Sequence, residues 1–289
     1  MKILVTGAGG QVGRELVRLA PTVGAEVVGL DRAALDITDA DAVRQSLAEI
    51  GPDAVVNAAA YTAVDRAESE SETAFAINRD GAAHLAQAAD AAGIPIVQVS
   101  TDYVFDGTKG APYRPSDPVS PLGVYGASKA AGEDAVRAVD RHVILRTAWV
   151  FSRYGGNFVA TMLRLATQRD RLAVVADQWG HPTAAADVAQ ACLAAAQRAT
   201  DGLAGTFHTA GAPLATWHSL ATETVRLAHA AGAVPAVPVD PIPTADYPTP
   251  AARPVRVELA MDDSFRALGL APFDWRSSLA EEVEVRLNG

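Results

Sequence analysis

Residues 2–13 of the chain read Lys-Ile-Leu-Val-Thr-Gly-Ala-Gly-Gly-Gln-Val-Gly, and a helical pattern follows them directly. The apolar run 2–6 predicts a short buried strand. Gly7, Gly10 and Gly13 permit a tight turn and a close approach to a pyrophosphate, and the next helix offers unpaired N–H groups at its N-terminus. The spacing is Gly-x-x-Gly-x-x-Gly and differs from the commoner Gly-x-Gly-x-x-Gly. The order of strand, glycine turn and helix nevertheless predicts a dinucleotide-binding fold.

The alternation of an apolar run with a helical stretch repeats along the first 150 residues. We expect further strands at 26–30, 53–57, 96–99 and 142–146, and helices at about 39–49 (N-cap Thr38), 68–92 and 121–139. Five such alternations predict an α/β fold with a doubly wound, parallel, Rossmann-type sheet, covered by helices on both faces through right-handed crossovers.

The pattern is less regular after residue 150. We expect helices at 157–168, 186–199, 263–268 and 275–287 and a strand at 173–176. Dense proline between 234 and 254 excludes long helices and predicts an ordered loop over a site. We therefore expect residues 1–150 to form the dinucleotide-binding domain and residues 151–289 to form mainly a smaller α/β substrate-binding lobe, with some of this chain returning to the first domain.

Composition narrows the class of protein. The chain has 289 residues, of which 49% are hydrophobic, and a formal net charge of -10. This charge argues against binding to nucleic acid or an anionic membrane and favours small-molecule partners. The sequence has no apolar run of membrane-spanning length and no signal-peptide pattern at Met1, so we expect a cytoplasmic protein. The single cysteine, Cys192, implies a small buried hydrophobe and no disulfide.

The candidate catalytic residues are Tyr125, Lys129 and Thr101. Tyrosine and lysine four residues apart share one side of a helix, so the ammonium is expected near the phenol and lowers its pKa. The phenol then serves in acid–base chemistry. Thr101 follows the predicted strand 96–99, where ligands bind in open α/β sheets, and its hydroxyl is a second donor for a carbonyl oxygen that gains negative charge.

Residues for the adenosine end of a dinucleotide follow the second and third strands. Asp31 suits a free ribose 2′-hydroxyl and Arg32 suits a 2′-phosphate, so the choice between NAD and NADP stays open. Asp36 and Ile37 offer a carboxylate and apolar surface near the adenine. The small residues 58–60 let a cofactor lie close to the backbone at the third strand's tip.

The assembled motifs are similar to those of the extended short-chain dehydrogenases. Among these enzymes, the chain resembles the family of dTDP-4-dehydrorhamnose reductases. Five segments carry this narrower resemblance and span nearly the whole chain, namely Gly10 to Gly13, Asn57 to Asp65, Ser100 to Gly107, Arg146 to Val150 and Tyr247 to Pro254.

The resemblance implies roles for individual residues. The implied catalytic residues are Thr101, Tyr125 and Lys129. The nicotinamide dinucleotide, with NADPH favoured over NADH, is held by Gly7, Gly10, Gln11, Val12, Gly13, Asp31, Arg32, Asp36, Ile37, Ala59, Ala60, Tyr61, Tyr125 and Lys129. The dTDP-linked 4-keto-6-deoxy sugar is expected at Thr62, Thr101, Asp102, Tyr103, Trp149 and Arg253, the last because a guanidinium matches phosphate oxygens.

Some members of the family place a magnesium ion between acidic side chains at a dimer contact. Glu15 matches one such position, but alanines stand at 184–186 where a glutamate would be expected. We therefore predict no bound metal, and a monomer or a homodimer.

By this resemblance the chain reduces the C4 ketone of dTDP-4-dehydro-L-rhamnose to dTDP-L-rhamnose, with Tyr125 as proton donor. Reduction of a related dTDP-4-keto-6-deoxy sugar, giving dihydrostreptose or 6-deoxytalose, stays open. A sugar-nucleotide 4,6-dehydratase shares the fold, but its relatives carry Thr-Asp-Glu where this chain has Tyr103 in third place. From another class, a non-catalytic regulatory subunit would bind dinucleotide without turnover.

Overall fold

The computed structural model describes residues 1–288 and has the predicted α/β architecture. Its first 147 residues contain, in chain order, β1 (Lys2–Thr6), α1 (Gln11–Leu19), β2 (Glu26–Leu30), α2 (Ala40–Ile50), β3 (Ala54–Asn57), α3 (Val64–Ala67), α4 (Ser71–Phe75), α5 (Gly81–Ala91), β4 (Ile96–Thr101), α6 (Val124–Arg137) and β5 (His142–Thr147). A π-helical segment, Ala76–Asp80, joins α4 to α5, and short 3₁₀ turns occur at Ala20–Val23 and Asp102–Val104.

The remaining chain has many short strands. In order these elements are β6 (Val150–Phe151), α7 (Phe158–Ala166), β7 (Leu172–Val175), β8 (Trp179–Gly180), β9 (Thr183–Ala184), α8 (Ala185–Thr200), β10 (Gly205–His208), β11 (Gly211–Ala212), β12 (Ala215–Thr216), α9 (Trp217–Ala230), β13 (Val239–Ile242), α10 (Asp262–Leu268), β14 (Phe273–Asp274) and α11 (Trp275–Asn288). The proline-dense segment 234–254 contains no long helix, as predicted, but it includes the unpredicted strand β13 and one 3₁₀ turn, Thr244–Asp246.

Six parallel strands form the central sheet, in the order β10-β5-β4-β3-β1-β2. The predicted parallel Rossmann-type sheet is therefore confirmed. Because β1 pairs with β2 on one side and β3 on the other, the strand order reverses at β1, and the crevice at the carboxyl ends of β1 and β3 is where such sheets bind ligands.

The sixth strand, β10, was not predicted. Its four residues, 205–208, contain no apolar run, so the sequence carries no local strand signal. The strand forms because the β5 edge offers hydrogen-bonding groups from Val143 to Arg146. Residues from the second half of the chain thus complete the sheet that the first half begins.

Helices cover both faces of the sheet. α1 and α8 pack on one face, where Ile3, Val5 and Leu145 share an apolar cluster with residues of α8. Cys192 lies in this cluster and is fully buried, as predicted. α2, α5 and α6 cover the other face. A separate cluster, centred on Phe151 and Trp275, joins α7, α9 and α11. Within residues 1–288, no helix is long and apolar enough to cross a membrane.

The N-cap of α2 differs from the prediction. Asp39, rather than Thr38, caps the helix, and its carboxylate accepts hydrogen bonds from the N–H groups of Asp41 and Ala42 at 3.0 Å each. Thr38 instead donates from its N–H and its hydroxyl to Asp36. A carboxylate at this position also gains from the helix dipole, which explains the shift by one residue.

The helix predicted at 68–92 runs without a gap from Ser71 to Ala91, through α4, the π-helical segment and α5. Asn78 lies inside the π-helical segment. Its side chain accepts from the Tyr61 N–H at 2.8 Å and donates to the Tyr61 carbonyl at 3.1 Å and to Ser128 at 2.9 Å. The irregular turn therefore places an amide between the loop after β3 and helix α6, which hydropathy alone did not indicate. Helix α9 was also missed in the sequence.

Candidate active site

The glycine loop after β1 is folded for close contact with a ligand. Gly7 has φ +71°, and a Cβ there would lie 2.6 Å from the Ala59 nitrogen. A Cβ on Gly13 would collide with the Gly7 carbonyl oxygen, and the N–H of Gly10 donates to that oxygen at 2.9 Å. Gly10 caps α1 without a side chain, so the first N–H groups of the helix face outward. A loop of this shape before a helix N-terminus is typical of diphosphate sites, and its contact with a cofactor stays a prediction.

Beside this loop lies a crevice of about 540 Å³ at the carboxyl ends of β1, β2 and β3. It is lined by residues predicted to hold the dinucleotide, namely Gly7, Gly10, Asp31, Arg32, Asp36, Ile37, Ala59, Ala60 and Tyr61, and by Thr62, which was predicted to contact the sugar nucleotide. Hydrogen bonds from the Thr38 N–H and hydroxyl hold the pKa of Asp36 below its ordinary value, and Arg32 acts in the same direction.

A larger cavity, of about 650 Å³, continues from the crevice toward β4 and α6. The two share Gly9, Gly10, Ala58, Ala60 and Thr62, so they form one long cleft. The larger cavity is lined by the predicted residues Gln11, Val12, Thr101, Asp102, Tyr103, Tyr125, Lys129 and Trp149. The structure thus brings the three candidate catalytic residues to the far end of a cleft that begins at the glycine loop.

Thr101 ends β4, Asp102 follows it directly, and both are buried. The Thr101 hydroxyl donates to the Asp102 carboxylate at 3.1 Å and accepts from the Tyr103 N–H at 3.2 Å. Burial raises the pKa of Asp102 to about 7, against the smaller opposite effects of hydrogen bonds from Thr101 and from backbone N–H groups. A carboxyl group that changes charge near neutral pH therefore lines the cavity beside the candidate catalytic hydroxyl.

The expected lowering of the Tyr125 pKa is wrong for this structure. Burial raises the pKa of Tyr125 to about 12, and a hydrogen bond with Thr101 opposes this only in part. Burial also lowers the pKa of Lys129 to about 8, while Glu133 acts in the opposite direction. The physical reason is that both groups are buried, and a low dielectric disfavours the charged form of each. Tyr125 is accordingly a protonated phenol at neutral pH.

Arg253 lies at the rim of the cleft and is already engaged. Its two terminal nitrogens donate to the two carboxylate oxygens of Asp65 at 2.7 and 2.8 Å, and one of them also donates to the Ala251 carbonyl. It lies beside Tyr103, whose ring stands edge-on to Tyr125 at 5.7 Å. The bidentate pair with Asp65 fixes the guanidinium at the rim, and its predicted contact with phosphate stays a prediction.

Trp149 and Trp217 form a stacked pair, with ring centroids 3.7 Å apart and planes 8° from parallel. Trp149 has φ +44°, an unusual conformation for a bulky residue, and a Cβ on Gly180 would lie 2.5 Å from its ring. Both indoles line the larger cavity. Sequence reasoning found Trp149 but missed Trp217, the first residue of a helix that was not predicted. The Thr216–Ser219 capping box was the available signal.

Other side chains of the cavity wall come from the segment before α7. Tyr154, Asn157 and Phe158 line the cavity, and Asn157 donates to the Gln11 side-chain oxygen at 2.9 Å. This bond joins the start of α7 to the glycine loop across 146 positions of sequence. Nothing in the local sequence identified these residues, because the contact depends on the tertiary fold.

Glu15 is fully buried and paired with two guanidinium groups, Arg18 at 2.6 Å and Arg153 at 3.4 Å. Arg153 also pairs with the buried Glu282 at 2.6 Å. Across residues 1–288, no group of three or more histidine, cysteine or acidic side chains is placed to hold a metal. Guanidinium groups of the protein therefore pair with the carboxylate that the family resemblance linked to magnesium, and the expectation of no bound metal stays a prediction.

Comparisons with known proteins show the family and the fold of the chain. A family described as "RmlD substrate binding domain" matches residues 1–287. The chain is 48% identical over 283 residues to a dTDP-4-dehydrorhamnose reductase of Streptomyces griseus, covering 96% of this chain and 91% of that protein.

Two solved structures have nearly the same fold. A dTDP-4-dehydrorhamnose reductase from Clostridium acetobutylicum superposes with a TM-score of 0.90 at 38% identity, over 99% of each chain. A dTDP-4-dehydrorhamnose reductase from Bacillus anthracis, in complex with NADP, has a TM-score of 0.89 at 34% identity, over 97% of this chain and 98% of that one.

Proposed function

Because this chain belongs to the RmlD substrate binding domain family, we propose that it is an NAD(P)H-dependent oxidoreductase that reduces the C4 ketone of dTDP-4-dehydro-L-rhamnose to dTDP-L-rhamnose. The observation that carries the proposal is that Thr101, Tyr125 and Lys129 line one cavity that continues into the crevice at the glycine loop. A hydride donor bound along this cleft and a ketone beside the phenol would meet there. We expect the reaction in the cytoplasm.

The chain's own residues fit a nicotinamide dinucleotide along the cleft. Gly7, Gly10 and Gly13 leave room for the diphosphate at the start of α1, and Asp31, Arg32 and Asp36 line the adenosine end. When bound, the coenzyme supplies the hydride that reduces C4. We favour NADPH over NADH because the Arg32 guanidinium, at the end of β2, suits a 2′-phosphate.

Tyr125 is the proton donor in this proposal. Its phenol stays protonated at neutral pH because burial raises its pKa to about 12. The ketone oxygen becomes far more basic as C4 is reduced, so the phenolic proton moves to it when the charge develops. The raised pKa therefore delays proton transfer until reduction is under way and does not prevent it.

Lys129 and Thr101 support the proton transfer. The Lys129 ammonium lies near the end of β4 and stabilises negative charge left on Tyr125 after the proton has moved. In this proposal the Thr101 hydroxyl, which donates to Asp102 in the free protein, turns to the ketone oxygen as a second donor. We further propose that Lys129 binds the nicotinamide ribose, as the family resemblance implies.

The sugar nucleotide is proposed to lie against Thr62, Asp102, Tyr103 and Trp149, which line the larger cavity. The flat indole of Trp149, supported by Trp217, suits an apolar face of the deoxysugar. Arg253 is proposed to contact the diphosphate or the base from the rim. For this contact, the Arg253 guanidinium would have to give up one of its two hydrogen bonds to Asp65 or bind both partners at once.

The test is to incubate the protein with enzymatically prepared dTDP-4-dehydro-L-rhamnose and NADPH or NADH, follow coenzyme oxidation, and identify the product sugar. We expect one coenzyme oxidised per sugar reduced and dTDP-L-rhamnose as product. A product epimeric at C4, such as a 6-deoxytalose, would instead indicate a related reductase, because the hydride would reach the other face.

Two other classes give different results in the same assay. A 4,6-dehydratase regenerates its coenzyme, so it shows no net oxidation, and Tyr103 already disfavours it. A non-catalytic subunit binds coenzyme without turnover. No oxidation with either coenzyme would overturn the reductase proposal.

A further inference from the structure

Helix α6 carries a buried carboxylate behind the candidate catalytic residues. Glu133 follows Lys129 by one helical turn and Tyr125 by two, so the three side chains share one side of the helix. The Glu133 side chain is fully buried. A fully buried glutamate is unusual unless it is paired, and no role had been assigned to it from the sequence.

Glu133 joins three elements of the sheet layer. The Ser100 hydroxyl donates to Oε1 at 2.6 Å, and Arg146 donates to Oε1 and Oε2 at 2.8 and 2.7 Å. Arg137, one turn along the helix, donates to Oε2 at 2.5 Å. Because Ser100 immediately precedes Thr101, these bonds tie the strand end that bears Thr101 to the helix that bears Tyr125.

We propose that Glu133 is a positioning residue that keeps Lys129 in its charged form and holds the end of β4 against helix α6. This inference rests on the proposed function, because it assigns Glu133 a part in the same reaction. Glu133 does not line the cavity, so it acts through Lys129 and Thr101 and not on the substrate.

The charges around Lys129 support this role. Arg137 and Arg146 contact the carboxylate of Glu133, and Lys129 lies one helical turn before it on the same side of α6. Burial, and secondarily Arg146, lower the pKa of His208 on β10 to about 3, so this residue adds no charge at neutral pH. Asp102, beyond the end of β4, acts on Tyr125, raising its pKa further. Glu133 is thus the anion that opposes the loss of the Lys129 proton.

The reaction would show this effect at alkaline pH. Burial lowers the pKa of Lys129 to about 8, and Glu133 raises it. If Glu133 became neutral, Lys129 would lose its proton at lower pH, with Arg137 and Arg146 unopposed. Coenzyme affinity and turnover, both of which need charged Lys129 in this account, would then decline from a lower pH.

The test measures NADPH affinity by fluorescence and kcat for the keto sugar, both between about pH 6 and pH 10. Glu133→Gln keeps the shape and removes the charge, and we expect its alkaline limb to move to lower pH by about one unit or more. Asp134→Asn is the matched control, because Asp134 is the exposed neighbour that pairs with Arg137 at 2.7 Å, and its limb should stay in place.

A second variant covers the case in which Glu133→Gln does not fold, which circular dichroism would reveal. Arg137→Gln removes a half-exposed cation from Glu133 and should fold. Without the Arg137 cation, the negative charge of Glu133 stabilises the Lys129 ammonium more strongly. The alkaline limb of the Arg137→Gln profile should therefore move to higher pH. Alkaline limbs that move in opposite directions in the two variants support the inference. If Glu133→Gln is unfolded, a move to higher pH in Arg137→Gln supports it.

Ser100→Ala separates the two parts of the proposed role. It removes the bond from β4 to Glu133 without changing charge, so it should lower kcat at every pH and leave the alkaline limb unmoved. The inference would be overturned if the folded variants Glu133→Gln and Arg137→Gln showed the same alkaline limb as the parent in their pH profiles. If the parent oxidised no coenzyme with the keto sugar, the proposed function would fail, while the NADPH-affinity limb would still decide the role of Glu133.

Discussion

The Lys129 ammonium donates a hydrogen bond to the carbonyl oxygen of Val99 at 2.7 Å. This bond holds the cation against β4 at Val99, two residues before Thr101. The cation therefore does not act as a simple depressor of the Tyr125 pKa, which burial raises to about 12. In the proposed mechanism, Lys129 instead stabilises the negative charge on Tyr125 after proton transfer.

The glycine loop gives the first prediction. Gly7→Ala should weaken NADPH binding and destabilise the fold, because its Cβ would meet the Ala59 backbone at 2.6 Å. Gly51→Ala is the matched control, since Gly51 also has a positive φ but has open space around its Cβ. The free energy of unfolding of the control should fall only by the cost of placing alanine in a left-handed backbone conformation, about 1–2 kcal/mol. Equal losses of stability and coenzyme affinity in both variants, measured by denaturation and fluorescence titration, would contradict the close-approach account.

Asp102 gives a dependence of stability on pH. Its pKa in the folded protein is about 7, above the ordinary 3.8, so the folded state holds the proton more tightly than the unfolded state. The contribution of this group to stability therefore falls as pH rises from about 4 to about 7. Asp102→Asn removes this pH-dependent loss of stability. Between about pH 4 and pH 7, the thermal midpoint of the variant should therefore rise by a few degrees relative to that of the parent. Midpoint curves that run parallel for parent and variant would argue against a raised pKa.

Much of the fold was predictable because its signals are local. The apolar run 2–6, the glycines that follow it and the repeated alternation up to residue 147 each specify an element within a few residues. The β10 strand and helix α9 carried weaker signals, and β10 depends on an edge that β5 provides. Long-range pairing of this kind leaves little trace in a single sequence.

The site residues that carry local sequence signals were predictable, and those that depend on long-range contacts were not. Thr101, Tyr125 and Lys129 follow from a strand end and a helical spacing. Trp217 and Glu133 do not, because their partners, Trp149 and Arg146, are distant in sequence or buried by the tertiary fold. The direction of the Tyr125 pKa was mispredicted because spacing reports a neighbouring charge but not the extent of burial.

The stacked indoles give the third prediction. Trp217→Ala should raise KM for the sugar nucleotide by up to about tenfold, since an aromatic pair is worth about 0.5–1.5 kcal/mol beyond its buried area. NADPH affinity should change little, because the stack is remote from the adenosine crevice. Trp217→Phe retains a stacking ring and should keep KM close to the parent's. A normal KM in Trp217→Ala would show that Trp149 does not need this support.

The ion pairs at Glu15 predict indifference to divalent cations. Treatment with EDTA should leave activity and the thermal midpoint unchanged, because guanidinium groups already neutralise Glu15 and Glu282. Arg153→Met should cost about 3–5 kcal/mol of unfolding free energy, since it removes the cation shared by two buried carboxylates. Arg266→Met, which breaks an exposed pair with Asp263, is the control and should cost little. Activity that needed added magnesium would contradict this prediction.

The most direct measurement is the rate of NADPH oxidation with dTDP-4-dehydro-L-rhamnose by the parent and by Tyr125→Phe, at neutral pH and saturating substrates. The variant loses only the phenolic oxygen, so NADPH affinity should stay within about twofold of the parent's. Turnover should fall by about 10²- to 10⁴-fold, the usual contribution of a general acid. A Tyr125→Phe variant that reduced the keto sugar at the parent's rate would contradict the central claim that Tyr125 donates the proton.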